Sequence, residues 1–195
     1  MNTIVLASNN ENKLYEIKRI MLPFNLEVKT LCDLNLGDPI EDGKDFIENA
    51  LIKARSAFKS TGLPTISDDS GFCIDALNNF PSVASKRFME AVGDYDKAAF
   101  VLNNCLSSNN KAHFTTCIAF VFEKDNKLIE KTFLGNLNGN FIYPGRGQNG
   151  FGYCPYFIPN GYSKTLAEIS DEHRMKINHR ATALKKFVEF FKNNF

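Results

Sequence analysis

Short apolar runs alternate with stretches of helical spacing along the first third of the chain, and the two periods predict different elements. Thr3 to Ala7 (Thr-Ile-Val-Leu-Ala) is apolar and β-branched, the pattern of a buried strand, and Ser8-Asn9-Asn10 breaks it. From Asn12 the apolar residues Leu14, Ile17, Ile20 and Met21 fall at helical spacing, and Pro23 ends the run. Leu26 to Leu31 predicts a second strand, followed by a loop with Gly37, Pro39 and Gly43. Asp45-Phe46-Ile47-Glu48 has the form of a capping box, with an acidic N-cap and Glu three residues on. It opens a helix through about Lys59, with Ala50, Ala54 and Ala57 on one close-packed face.

Thr65 to Ser67 predicts a short strand and Asp94 to Leu106 a helix. His113 to Glu123 and Leu128 to Leu137 are β-rich runs, and Lys124-Asp125-Asn126-Lys127 between them reads as a hairpin turn. The segment from Leu166 onward reads as helical, with Ala183, Leu184, Phe187, Phe190 and Phe191 on its apolar side. This order predicts an α/β protein with a mixed sheet rather than a bundle or a sandwich. No linker is long enough to separate two domains, so residues 1–195 are expected to form a single domain.

Composition narrows the function classes. A hydrophobic fraction of 44% with 23% charged residues is that of a folded globular chain. A net charge of +1 gives no bulk attraction to nucleic acid or an anionic membrane, so any phosphate must be held by a local constellation. The five cysteines (Cys32, Cys73, Cys105, Cys117, Cys154) form no C-x-x-C pair and no zinc spacing, which suits a reducing cytoplasm. No stretch approaches transmembrane length, and the first residues lack the basic region of a signal peptide.

The densest chemistry is Ser67-Asp68-Asp69-Ser70-Gly71. Adjacent carboxylates at a strand end repel unless a cation or proton relieves them, the way a sheet presents oxygen ligands to Mg²⁺. The same letters also spell a polar turn. Ser8-Asn9-Asn10-Glu11-Asn12-Lys13 joins a strand to a helix, where backbone N–H groups and Lys13 favour an anion; a plain helix cap is the alternative. Glu41 precedes the capped helix and Lys53 lies two turns into it, sharing a face with Asn49; the pair could flank a metal–phosphate group or line a solvated face.

Gly145 to Gly150 matches G-x-G-x-x-G, but Phe151-Gly152-Tyr153-Cys154-Pro155 cannot open the helix that a dinucleotide fingerprint requires. It reads instead as a loop delivering Phe151 and Tyr153, either as a platform for a planar base or as core aromatics. Arg174 and the pair His179-Arg180 supply donors suited to an oxygen on a purine ring, or a basic helix end.

Together these blocks resemble the inosine triphosphate pyrophosphatase family, the RdgB-like enzymes. The resemblance rests on Leu6-Ala7-Ser8-Asn9-Asn10 with Lys13 and Glu16, then Phe46-Ile47-Glu48-Asn49-Ala50 with Lys53-Ala54-Arg55. It continues through Ser67-Asp68-Asp69-Ser70-Gly71 with Asp75-Ala76-Leu77, and Pro81 with Ser85 and Arg87. It closes with Gly150-Phe151-Gly152-Tyr153, Pro155, Phe157, Pro159, Thr165, Ala167-Glu168 and His179-Arg180. Their order over nearly the whole chain is more specific than any one block.

The resemblance implies a long curved mixed sheet flanked by helices, two lobes with a central substrate cleft, and a homodimer. It implies Mg²⁺-dependent hydrolysis of ITP, dITP and XTP to the monophosphate and pyrophosphate. By position, Ser8, Asn9, Asn10, Glu11, Asn12 and Lys13 correspond to the triphosphate cradle, with Lys53 and Arg87 nearby. Glu41 and Asp69 correspond to the metal site, Asp69 also to the acceptor of the water proton, and Asp68 to its support. Ser70, Phe151, Gly152, Tyr153, Cys154, Arg174, His179 and Arg180 correspond to the nucleoside contacts. The family usually has Asp at 154, Lys at 174 and Ser at 178, where this chain has Cys154, Arg174 and Asn178. All three departures lie at the base end, so altered base discrimination is expected. A pyrophosphatase for other modified nucleotides and a nucleotide-binding protein without turnover are the competing readings. A nucleic-acid-binding protein lacks the basic stripe it would need.

Overall fold

The computed structural model describes residues 2–195. In chain order their strands and α-helices are β1 (Thr3–Ala7), α1 (Glu11–Met21), β2 (Glu27–Thr30), α2 (Phe46–Thr61), β3 (Thr65–Ile74), β4 (Pro81–Ser82), α3 (Ser85–Val92), α4 (Tyr95–Asn104), β5 (Lys111–Lys124), β6 (Lys127–Phe141), β7 (Phe157–Pro159), α5 (Asp171–Ile177) and α6 (His179–Asn194). The strands form one seven-stranded sheet in the order β2-β1-β3-β5-β6-β7, with β4 added to β3. β1 runs parallel to both β2 and β3, while β3–β4 and β6–β7 are antiparallel, so the sheet is mixed.

The chain packs as two compact units. One holds residues up to Asp69 with Thr116–Gly135 and Thr182–Phe195; the other holds Ser70–Thr115 and Asn136–Ala181. In the first, β1 is buried on both faces, which is why it reads as a continuous apolar run. Ile4 and Leu6 join Ile17 and Met21 of α1, Phe120 of β5, and Leu184 and Phe187 of α6. Val5 and Ala7 point the other way, against Leu31 and Ala57 of α2. The two helices that follow β1 and precede β3 therefore lie on opposite faces of the sheet. In the second unit, Phe72 of β3 centres an aromatic core. Its ring stacks on Tyr153 at 4.8 Å and lies against Phe114, Phe141 and Phe157.

Several elements differ from the expectation. β3 does not stop at Ser67 but runs on to Ile74, so Asp68-Asp69-Ser70-Gly71 is strand rather than turn. Phe72, Cys73 and Ile74 are fully or almost fully buried, and their burial outweighs the turn propensity of the four residues before them. The hairpin strands are longer at their outer ends, and Asp125 and Asn126 both take left-handed backbone, as a two-residue hairpin turn requires. Residues 166–170 are not helical; extended backbone at Asn178 then splits the terminal segment, so His179-Arg180 opens α6. β4 and α3 were not expected at all. Asp45 caps α2 by accepting from the Ile47 and Glu48 amides at 2.8 Å, but Glu48 reaches back to the Lys44 amide rather than to Asp45.

Candidate active site

Strand alternation explains how the first unit arranges its charges. Successive side chains of β3 point to opposite faces, so Asp68 and Asp69 separate. Asp68, fully buried, meets Lys13 of α1 with Nζ 3.1 Å from Oδ2. Asp69 meets α2 on the other face: Lys53 Nζ lies 3.5 Å from Oδ1, and Asn49 Nδ2 donates to Oδ2 at 3.2 Å. Each of the adjacent carboxylates takes one lysine, which offsets part of their mutual repulsion. Asp68 holds Lys13, the lysine in the first turn of α1.

Asn49 and Lys53 lie one turn apart on α2 and are both buried, at 1% and 5% exposure. The solvated-face reading of Lys53 therefore fails. Lys53 Nζ also donates to Glu41 Oε2 at 3.1 Å, so Glu41 and Asp69 flank one ammonium. Burial works to lower the Lys53 pKa, but Asp69, Asp68 and Glu41 together overcome it and the net shift is upward. Burial raises the Asp69 pKa; Lys53 and Lys13 pull against that without cancelling it. A carboxylate held above its ordinary range is a better proton acceptor near neutral pH. Thr116 of β5 donates its hydroxyl to the Asp69 carbonyl at 3.0 Å, tying the strand at this residue.

At the β1–α1 junction Asn10 caps α1, its side chain accepting from the Lys13 amide at 3.2 Å. Ser8 Oγ accepts from the Asn10 amide at 3.2 Å. Asn9 is exposed and donates to Asp38 at 2.9 Å, while Glu11 opens the helix and Asn12 follows it. The small polar residues thus fold the junction itself and keep Lys13 at the first helical turn. Glu41 and Asp69 offer the hard oxygen donors that Mg²⁺ takes, converging on one point of positive charge. Among the described residues no group of three or more His, Cys, Asp or Glu side chains is placed to hold a metal.

The second unit holds the remaining expected residues. Arg180, 1% exposed, donates to Ser70 Oγ at 3.1 Å. His179 lies flat on Phe114, with ring centroids 5.0 Å apart and planes at 15°. Cys154 and Arg174 are buried and close around Gly150, while Phe151 and Gly152 are partly exposed. Tyr153 corrects the platform reading. It is 2% exposed, stacked on Phe72 and packed near-perpendicular to Tyr95, so its ring is spent on the core, while Phe151 is partly exposed. Arg87 is exposed on α3, in this second unit.

Four contributors went unrecognised as site residues in the sequence. Asn49 had a signal, its i, i+4 spacing to Lys53. Asp171, which pairs with Arg174, had its i, i+3 spacing on α5; Thr116 and Asp38 had none, because each acts on a residue far from it in sequence.

Three comparisons bear on this arrangement. A model of the Ham1 family matches residues 4–190. A dITP/XTP pyrophosphatase of Zymomonas mobilis is 37% identical over 190 residues, covering 95% of this chain and 90% of the relative. A HAM1 protein from Coxiella burnetii superposes with a TM-score of 0.90 at 34% identity, covering 99% of this chain and 100% of that one. A nucleoside-triphosphatase / dITP/XTP pyrophosphatase from Mycobacterium abscessus gives a TM-score of 0.79 at 36% identity, covering 95% and 98%.

Proposed function

The chain belongs to the Ham1 family, and on that premise we propose that it hydrolyses non-canonical purine nucleoside triphosphates (ITP, dITP and XTP) to the monophosphate and pyrophosphate, cleansing the nucleotide pool. The observation that carries the reading is Asp69, a buried carboxylate held between Asn49 and Lys53 with its pKa raised by burial. A nucleotide-binding protein without turnover has no use for such a group.

In the proposed reaction, Asp69 accepts a proton from water as the water oxygen bonds to phosphorus. The bond between the α- and β-phosphates breaks, and pyrophosphate leaves with the electron pair. Asn49 fixes one Asp69 oxygen, so the other is oriented for the water. Lys53 and Lys13 lower the cost of charge on the leaving pyrophosphate. Ser8 to Asn12 present helix-end N–H groups to the triphosphate. Glu41 and Asp69 would hold Mg²⁺, which when bound neutralises phosphoryl oxygens.

At the other end Phe151 stacks on the base, while Arg174, His179 and Arg180 donate to ring oxygens. A 6-oxo purine accepts those bonds and adenine, with an amino group there, does not. The competing reading, turnover of other modified triphosphates, draws only on Cys154 and Arg174 at the base end. Among the described residues no helix is long and apolar enough to cross a membrane. Five free thiols support a cytoplasmic site.

A substrate panel tests the activity. With Mg²⁺, kcat/KM for ITP and XTP is expected to exceed that for ATP by about 100-fold or more. Equal turnover of all purine triphosphates contradicts the proposal.

A further inference from the structure

The base end contains a buried cation whose counter-charge comes from an unexpected place. Arg174 is 8% exposed, and a buried guanidinium is costly unless a negative partner and hydrogen bonds compensate it. It lies against Gly150. A Cβ on that glycine would sit 3.0 Å from Cys154 Sγ and 3.1 Å from Arg174 Nη1, so thiol and guanidinium close on the same point. The backbone there has φ +80°, a second reason for glycine. A thiol offers no compensating charge. The compensation comes from Asp171, one turn earlier on α5, whose Oδ1 accepts from Arg174 Nη1 at 2.7 Å.

We propose that Asp171 is a positioning residue for base discrimination. It pins Arg174 Nη1 from the solvent side and so sets the plane of the guanidinium that reads the base, in place of a carboxylate at position 154. A guanidinium is a rigid planar fork, and fixing one nitrogen fixes the direction of the Nε and Nη2 donors. A fork so held suits acceptor atoms along one edge of a 6-oxo purine and opposes a 6-amino group, donor against donor. Without Asp171 the side chain keeps its charge but not its aim. Binding of phosphates needs no such aim and is unaffected. The inference rests on the proposed function, because it takes Arg174 as a base contact.

The experiment compares ITP with ATP. The Asp171 side chain is 70% exposed, so replacing it spares the core. Asp171→Ala is expected to lower kcat/KM for ITP about tenfold without lowering the residual ATP rate, so the ITP/ATP ratio falls about tenfold or more. Inhibition by tripolyphosphate, a probe without a base, is expected to stay within about twofold. Adding Cys154→Asp to Asp171→Ala returns a carboxylate to the guanidinium and is expected to restore most of the ratio. An unmoved ITP/ATP ratio, a parallel fall for ITP, ATP and tripolyphosphate, or no rescue by Cys154→Asp would each overturn the positioning role. No turnover of ITP by the unaltered protein contradicts the activity itself, whereas turnover with an unmoved ratio contradicts only this inference.

Discussion

Asp69, the proposed proton acceptor, combines burial with a neighbouring cation, Lys53. Burial raises the pKa of the carboxyl; Lys53 at 3.5 Å and Lys13 draw it back without erasing the upward shift. Replacing Asp69 with Asn keeps the size and the Asn49 contact region but removes the proton acceptor. Asp69→Asn is expected to lower kcat about 10²–10⁴-fold with a much smaller change in KM; steady-state kinetics with ITP measures both, and near-normal turnover rules the assignment out. Lys53→Met tests the other half. It leaves the Asp69 carboxylate buried with its nearest cation removed, and such losses cost about 3–5 kcal/mol. Urea unfolding is expected to show that loss, and to show less for Glu41→Gln, since the Glu41 side chain is 38% exposed and solvent screens it.

Elements decide which residues meet. α2 carries Asn49 and Lys53 to Asp69, and its start is held by Asp45, which accepts from two amides. Asp45→Ala is expected to destabilise the protein by about 1 kcal/mol in urea, with a fall in kcat only where α2 frays under the assay conditions. Much of this layer was readable in the sequence. The continuous apolar run Thr3–Ala7, the acidic cap at Asp45 and the Asp125-Asn126 turn each combine a local rule with the global fold. β3 was not readable beyond Ser67, because Asp-Asp-Ser-Gly has turn composition and its pairing with Lys13 and Lys53 is invisible in a linear pattern. The break at Asn178 hid for a similar reason: helical spacing continues across it.

At the scale of the molecule, the residues proposed for the triphosphate belong to the first compact unit, and those proposed for the nucleoside, with Arg87, belong to the second. The assignment of residues to the two parts of the substrate comes from the ordered blocks of the resemblance, since no single block announces a substrate. Asp38 stayed invisible because its contact exists only once Asn9 is folded against it, whereas the i, i+3 pair of Asp171 and Arg174 is a local spacing. The packed interiors also hold thiols: burial pushes Cys73 up to about 11 and Cys117 up to about 12. A thiol that is harder to ionise when folded contributes stability that is complete below its unfolded pKa, about 8.5–9, and is lost as pH rises toward 11–12. Stability is therefore expected to decline over that alkaline window, and less steeply in Cys73→Ala with Cys117→Ala; matching slopes in urea unfolding against pH would contradict it. The activity has the most direct test. Phosphorus NMR of ITP incubated with the protein and Mg²⁺ is expected to show one pyrophosphate formed for each IMP, with neither IDP nor orthophosphate. Orthophosphate with IDP, or intact ITP, would contradict the account.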